Sequence, residues 1–94
     1  MQPMRTGLEK IILEALQHTP PQEAPVLAWP FACGPAVANK TRPLSFADGI
    51  LTIEVADANW RAQLMDMAPQ FLGRINQLVS LKVERLRFIV PPGK

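Results

Sequence analysis

Residues 41–55 read Thr41-Arg42-Pro43-Leu44-Ser45-Phe46-Ala47-Asp48-Gly49-Ile50-Leu51-Thr52-Ile53-Glu54-Val55, and the fold turns on how this stretch is read. Thr41 to Phe46 is a strand candidate, Ala47-Asp48-Gly49 is a turn, and Ile50 to Val55 is a second strand. Asp-Gly between apolar runs favours a tight hairpin, because both residues tolerate positive φ. In the second strand Leu51, Ile53 and Val55 point one way, while Ile50, Thr52 and Glu54 point the other. A period of two marks a sheet with one buried face.

Downstream of the hairpin, Asp57 caps a long helical segment, Ala58 to Val79. Trp60, Leu64, Met67, Phe71, Ile75 and Leu78 run down one side, and Gln63, Asp66, Gln70, Arg74 and Gln77 run down another. Both stripes keep register across Pro69. The segment is therefore either one kinked helix or two helices stacked end to end, with the break near Met67-Ala68-Pro69. Lys82 to Val90 reads as a third strand, stopped by Pro91-Pro92-Gly93. Leu86, Phe88 and Val90 share one of its faces, and Arg85 and Arg87 share the other with Val83 and Ile89.

Upstream, Leu8, Ile11, Ile12, Ala15 and Leu16 place an amphipathic helix over residues 6–17, with Thr6 and Glu9 as a capping box. His18-Thr19-Pro20-Pro21 ends it. Pro25 suits the first turn of a second helix, Val26 to Cys33, which is interrupted by Pro30 and stopped by Gly34. Pro35 opens a further short turn through Ala38 or Asn39. The order predicts an α+β sandwich of two layers, a three-stranded sheet with helices packed on one face. Residues 1–94 are expected to form one domain, with its core over about 25–90.

The 94 residues are 48% hydrophobic and 19% charged, too apolar for a disordered chain. No run of 18 apolar residues could span a membrane, and Met1 to Lys10 lacks the basic-then-apolar order of a signal peptide, so a cytoplasmic location is expected. A single cysteine, Cys33, excludes an internal disulfide and a cysteine-clustered metal site. The net charge of +2 is unevenly spread. Residues 39–94 carry eight basic and five acidic groups, and from Arg74 onward only Glu84 opposes five basic residues. Such asymmetry points to an anionic partner for the second half.

Reactive groups are few. His18, the only histidine, reads as a helix-end cap rather than a general base, and Cys33 as a buried side chain rather than a reactive thiol. There is no phosphate-cradling glycine loop, and no carboxylate pair or His/Cys cluster to hold a metal. No enzyme activity, cofactor or small-molecule substrate is expected. Trp29 and Trp60 read as anchors of helix on sheet, with stacking on a base or a partner as the alternative. Arg85 and Arg87 alternate onto the open face of the last strand, where a cross-strand ion pair with Glu54 is the bland account. Lys40, Arg42, Arg61, Arg74 and Lys82 lie at element ends or on helix faces, where solvent or phosphate would suit them equally.

The ordered set runs from Trp29 and Gly34 through Pro43-Leu44 and Asp48-Gly49-Ile50-Leu51-Thr52-Ile53-Glu54-Val55. It continues with Asn59-Trp60-Arg61-Ala62-Gln63-Leu64 and Leu72-Gly73-Arg74-Ile75-Asn76, and ends on Val83-Glu84-Arg85-Leu86-Arg87-Phe88. In this it resembles the DciA family of bacterial replication proteins, which act on the DnaB-type replicative helicase. The resemblance implies a K-homology-like fold with the order helix-strand-strand-helix-helix-strand, here preceded by an extra N-terminal helix. The signature Gly-x-x-Gly loop of K-homology domains is replaced by Met67-Ala68-Pro69-Gln70, which favours basic-surface binding over base reading.

The function so implied is a DNA-binding accessory protein that assists loading or operation of the helicase, with DNA and the helicase as partners. Lys40, Arg42, Arg61, Arg74, Lys82, Arg85 and Arg87 are its candidate phosphate contacts. The chain ends at Lys94 without the basic extension of many relatives, so helicase contact is expected to differ or be reduced. The alternative is a protein-interaction domain, a homodimer or complex subunit, without nucleic-acid binding.

Overall fold

The computed structural model describes residue 11 and residues 13–92. A helical stretch closes at Gln17, and Leu16 from it enters the core. The Thr6–Glu9 capping box, Leu8 and Ile12 lie outside the described residues. Helix α1 follows over Ala24–Cys33, then α2 over Pro35–Ala38, β1 over Thr41–Ala47, β2 over Ile50–Val55, α3 over Ala58–Leu78 and β3 over Arg85–Ile89. The architecture is the α+β one expected, with a mixed three-stranded sheet in the order β1-β2-β3.

The hairpin forms as its chemistry dictates. Asp48 (φ 54°) and Gly49 (φ 78°) both take left-handed conformations, the pair a two-residue turn matched to strand twist requires. A methyl group added at Gly49 would also approach the Glu84 side chain to 3.2 Å. β1 pairs antiparallel with β2, but the register slips between Pro43 and Ser45, leaving Leu44 as a bulge. The reason lies in the spacing of the inward residues. Pro43 lies opposite Ile53 and Phe46 opposite Leu51. Three positions separate Pro43 from Phe46, an odd number that a period of two cannot place on one face without an extra residue.

β2 and β3 run parallel, which demands a crossover, and α3 supplies it. Leu51, Ile53 and Val55 of β2, Leu86 and Phe88 of β3, and Leu64, Phe71 and Ile75 of α3 fill the core with Trp29, Ala28 and Ala32 of α1. Trp29 is fully buried, edge-on to Phe71 at 5.3 Å between ring centroids, and its Nε1 donates to Thr41 Oγ1 at 2.9 Å. The anchoring role expected of it holds.

Three expectations are corrected. First, of the two arrangements left open at Pro69, α3 takes the single helix, so the helix-helix order that the family resemblance implied is not seen. Proline removes the donor to the Met65 carbonyl, but both residues face solvent, where water can satisfy that oxygen. Secondly, Met67 turns outward (37% exposed), and Ala68 packs on the core instead. Thirdly, β3 starts at Arg85 rather than Lys82. Before it, the Asn76 side chain holds Val83 by accepting from its N–H (2.7 Å) and donating to its C=O (3.0 Å). Val83 is thereby buried with the core instead of sharing the open face with Arg85 and Arg87, while Val90, beyond the strand, is exposed.

Candidate nucleic-acid interface

Every strand contributes alternate residues to the face that α1 and α3 leave bare. The register sets them in three rows: Arg42–Glu54–Ile89, Ser45–Thr52–Arg87 and Ala47–Ile50–Arg85. Arg85 and Arg87 are exposed there, as strand alternation predicts. Glu54 lies opposite Arg42 on one side and Ile89 on the other, so its register neighbour is Arg42 rather than Arg85 or Arg87.

Arg61 reaches this region from the first turn of α3. That turn is fixed by Asp57, whose carboxylate accepts from the Trp60 N–H at 2.9 Å. Nε of Arg61 donates to the Phe88 carbonyl at 2.9 Å, on the side of β3 turned away from β2. Arg61, Arg85 and Arg87 thus border one shallow groove of about 350 Å³, completed by Ile50, Met65, Leu86 and Phe88. Among the described residues, no carboxylate lines it. Met65, 52% exposed, escaped notice in the sequence because it falls outside the apolar stripe of its helix. That misplacement was itself the available signal.

The other candidate contacts, Lys40, Arg42, Arg74 and Lys82, do not join the groove. Arg42 shares the open face but stands on the opposite edge strand. Arg74 donates from Nη1 to the Ala32 carbonyl at 3.3 Å, satisfying one of the orphan carbonyls at the end of α1. Lys82 lines a separate cleft of about 520 Å³ with Asp48 and Glu84. Lys40 is exposed in the turn before β1, where its carbonyl accepts from the Ala56 N–H. Trp60 packs partly buried against the core.

The other reactive side chains sit apart from these arginines. Burial pushes the Cys33 thiol up to about 11, so it stays protonated at neutral pH. His18 is exposed just past the first helical stretch.

Compared with known proteins, residues 5–88 match a family model described as Dna[CI] antecedent, DciA. No curated protein matches the sequence.

Proposed function

The chain belongs to the DciA family, and from that membership we propose that it is a DNA-binding accessory protein assisting the loading or operation of the bacterial replicative helicase of the DnaB type. The family match over residues 5–88 carries the helicase part of this reading. The open sheet face supports the DNA part, because Arg42, Arg85 and Arg87 project from one surface with Arg61 at its border. Cations so spaced suit phosphates and carry no base information, so binding is largely independent of sequence. Lys40, Arg74 and Lys82 are further phosphate contacts in this reading, outside the groove. The layered arrangement is read as K-homology-like, with one continuous α3 where two helices are usual.

A protein-binding role has its own support. Leu27 and Phe31, one turn apart on α1, are 51% and 56% exposed, and the bulged Leu44 is 42% exposed. Apolar side chains held out in this way suit a protein partner, whether the helicase or a second copy.

Two measurements test the reading. Fluorescence anisotropy with single- and double-stranded DNA at two salt concentrations is expected to show binding that weakens as salt rises. A pull-down with the cognate helicase is expected to retain it. Absence of DNA binding at low salt would leave the protein-interaction reading in its place.

A further inference from the structure

We infer that the outer edge of β3 is a docking strip for an extended acidic peptide, which adds to the sheet as a fourth strand. The inference goes beyond the DNA reading and stands without it.

β3 is an edge strand, and no described strand pairs with its outer side. The Phe88 carbonyl faces outward, since it accepts from Arg61. Strand alternation turns the Leu86 N–H and C=O and the Phe88 N–H the same way, leaving a short ladder of backbone groups open. Such a ladder, with donors and acceptors at strand spacing, is matched by another peptide backbone.

The side chains along the ladder say which peptide. On the open face stand Arg85 and Arg87, two residues apart and therefore roughly 6.6 Å along the strand. An added strand repeats at the same spacing, so its alternate side chains meet these two arginines, and acidic residues suit them. The residues between point to the helix side, towards Met65 and Arg61. The groove floor is aliphatic except for Phe88, which is only 5% exposed, so it offers no aromatic platform for bases. Three arginines, with no carboxylate among the described lining residues, complement a negative ligand. The occupant is thus an extended segment alternating acidic and apolar residues. Because it uses Arg85 and Arg87, it competes with DNA wherever DNA also binds there.

The probe is a fluorescein-labelled peptide of about ten residues alternating aspartate and valine, titrated by anisotropy at low salt alongside a DNA oligonucleotide. The aspartate peptide is expected to bind, and the same peptide with lysine for aspartate is expected not to. One central proline, which removes an edge hydrogen bond, should weaken binding by about fivefold. Met65→Asp should weaken it by about tenfold through charge, with circular dichroism unchanged. Arg42→Glu, across the sheet, should leave peptide binding intact while weakening DNA. Equal binding of the lysine or proline peptide, or no binding of the aspartate peptide by the folded protein, overturns the inference and leaves the arginines as guards of a strand edge. DNA binding without peptide binding sinks this inference alone, and peptide binding without DNA binding sinks the DNA reading alone.

Discussion

Within five residues, β3 serves two environments. Leu86 and Phe88 enter a core closed by Trp29, Phe71 and Ile75, whereas Arg85 and Arg87, their immediate neighbours, stand in water. β2 divides in the same manner, Leu51, Ile53 and Val55 being buried and Ile50, Thr52 and Glu54 only partly so. One face is held by close packing, where each lost methylene is felt. The other makes no comparable contacts and is free to carry charge. The contrast teaches that stability and binding can be altered separately in this protein, residue by residue along one strand.

The strongest test of that separation lies in the core. Trp29→Ala removes the ring packed on Phe71 and the hydrogen bond to Thr41, and should cost about 3–5 kcal/mol in urea denaturation. A loss as small as that of a surface change would break the comparison. Next is Asn76→Ala, which strips partners from both backbone groups of Val83. It should cost about 1–3 kcal/mol, read as a lowered thermal midpoint. Gly49→Ala sharpens the picture at the turn, where φ is 78° and Glu84 crowds the site. A cost of about 1–2 kcal/mol is expected, measured in the same denaturation series. Smallest in stability is the double change Arg85→Ala/Arg87→Ala, expected within about 0.5 kcal/mol of the parent. Its effect should appear instead in DNA affinity, whose logarithmic salt dependence should flatten by about 2. If that double variant unfolds the protein, the open face is structural and the separation fails.

Much of this was legible in the residues because the signals were local. Asp48-Gly49 predicted the turn, the alternation of β2 predicted its buried face, and Asp57 predicted the start of α3. The bulge at Leu44 was not legible, since it follows from Pro43 and Phe46 both facing inward, which only the strand pairing shows. The choice at Pro69 between one helix and two was not legible, because register favours continuity and proline a break, and only the solvent-facing position of the freed carbonyl removes the penalty. The candidate site was half legible. Arg85 and Arg87 follow from alternation, whereas nothing in the chain between residues 61 and 88 announces that Arg61 reaches the Phe88 carbonyl.

By itself the sequence determined the element types, the hairpin, the identity of most core residues and the family, because each rests on periodicity, turn chemistry or an ordered set of short motifs. Only the tertiary structure decided which cations meet. It pairs β3 in parallel beside β2, runs α3 back across the sheet, and so brings Arg61 and Met65 to the edge that Arg85 and Arg87 flank, leaving Arg74 and Lys82 elsewhere. The physical reason is that such proximity arises from packing between residues far apart in the chain, which no local preference encodes.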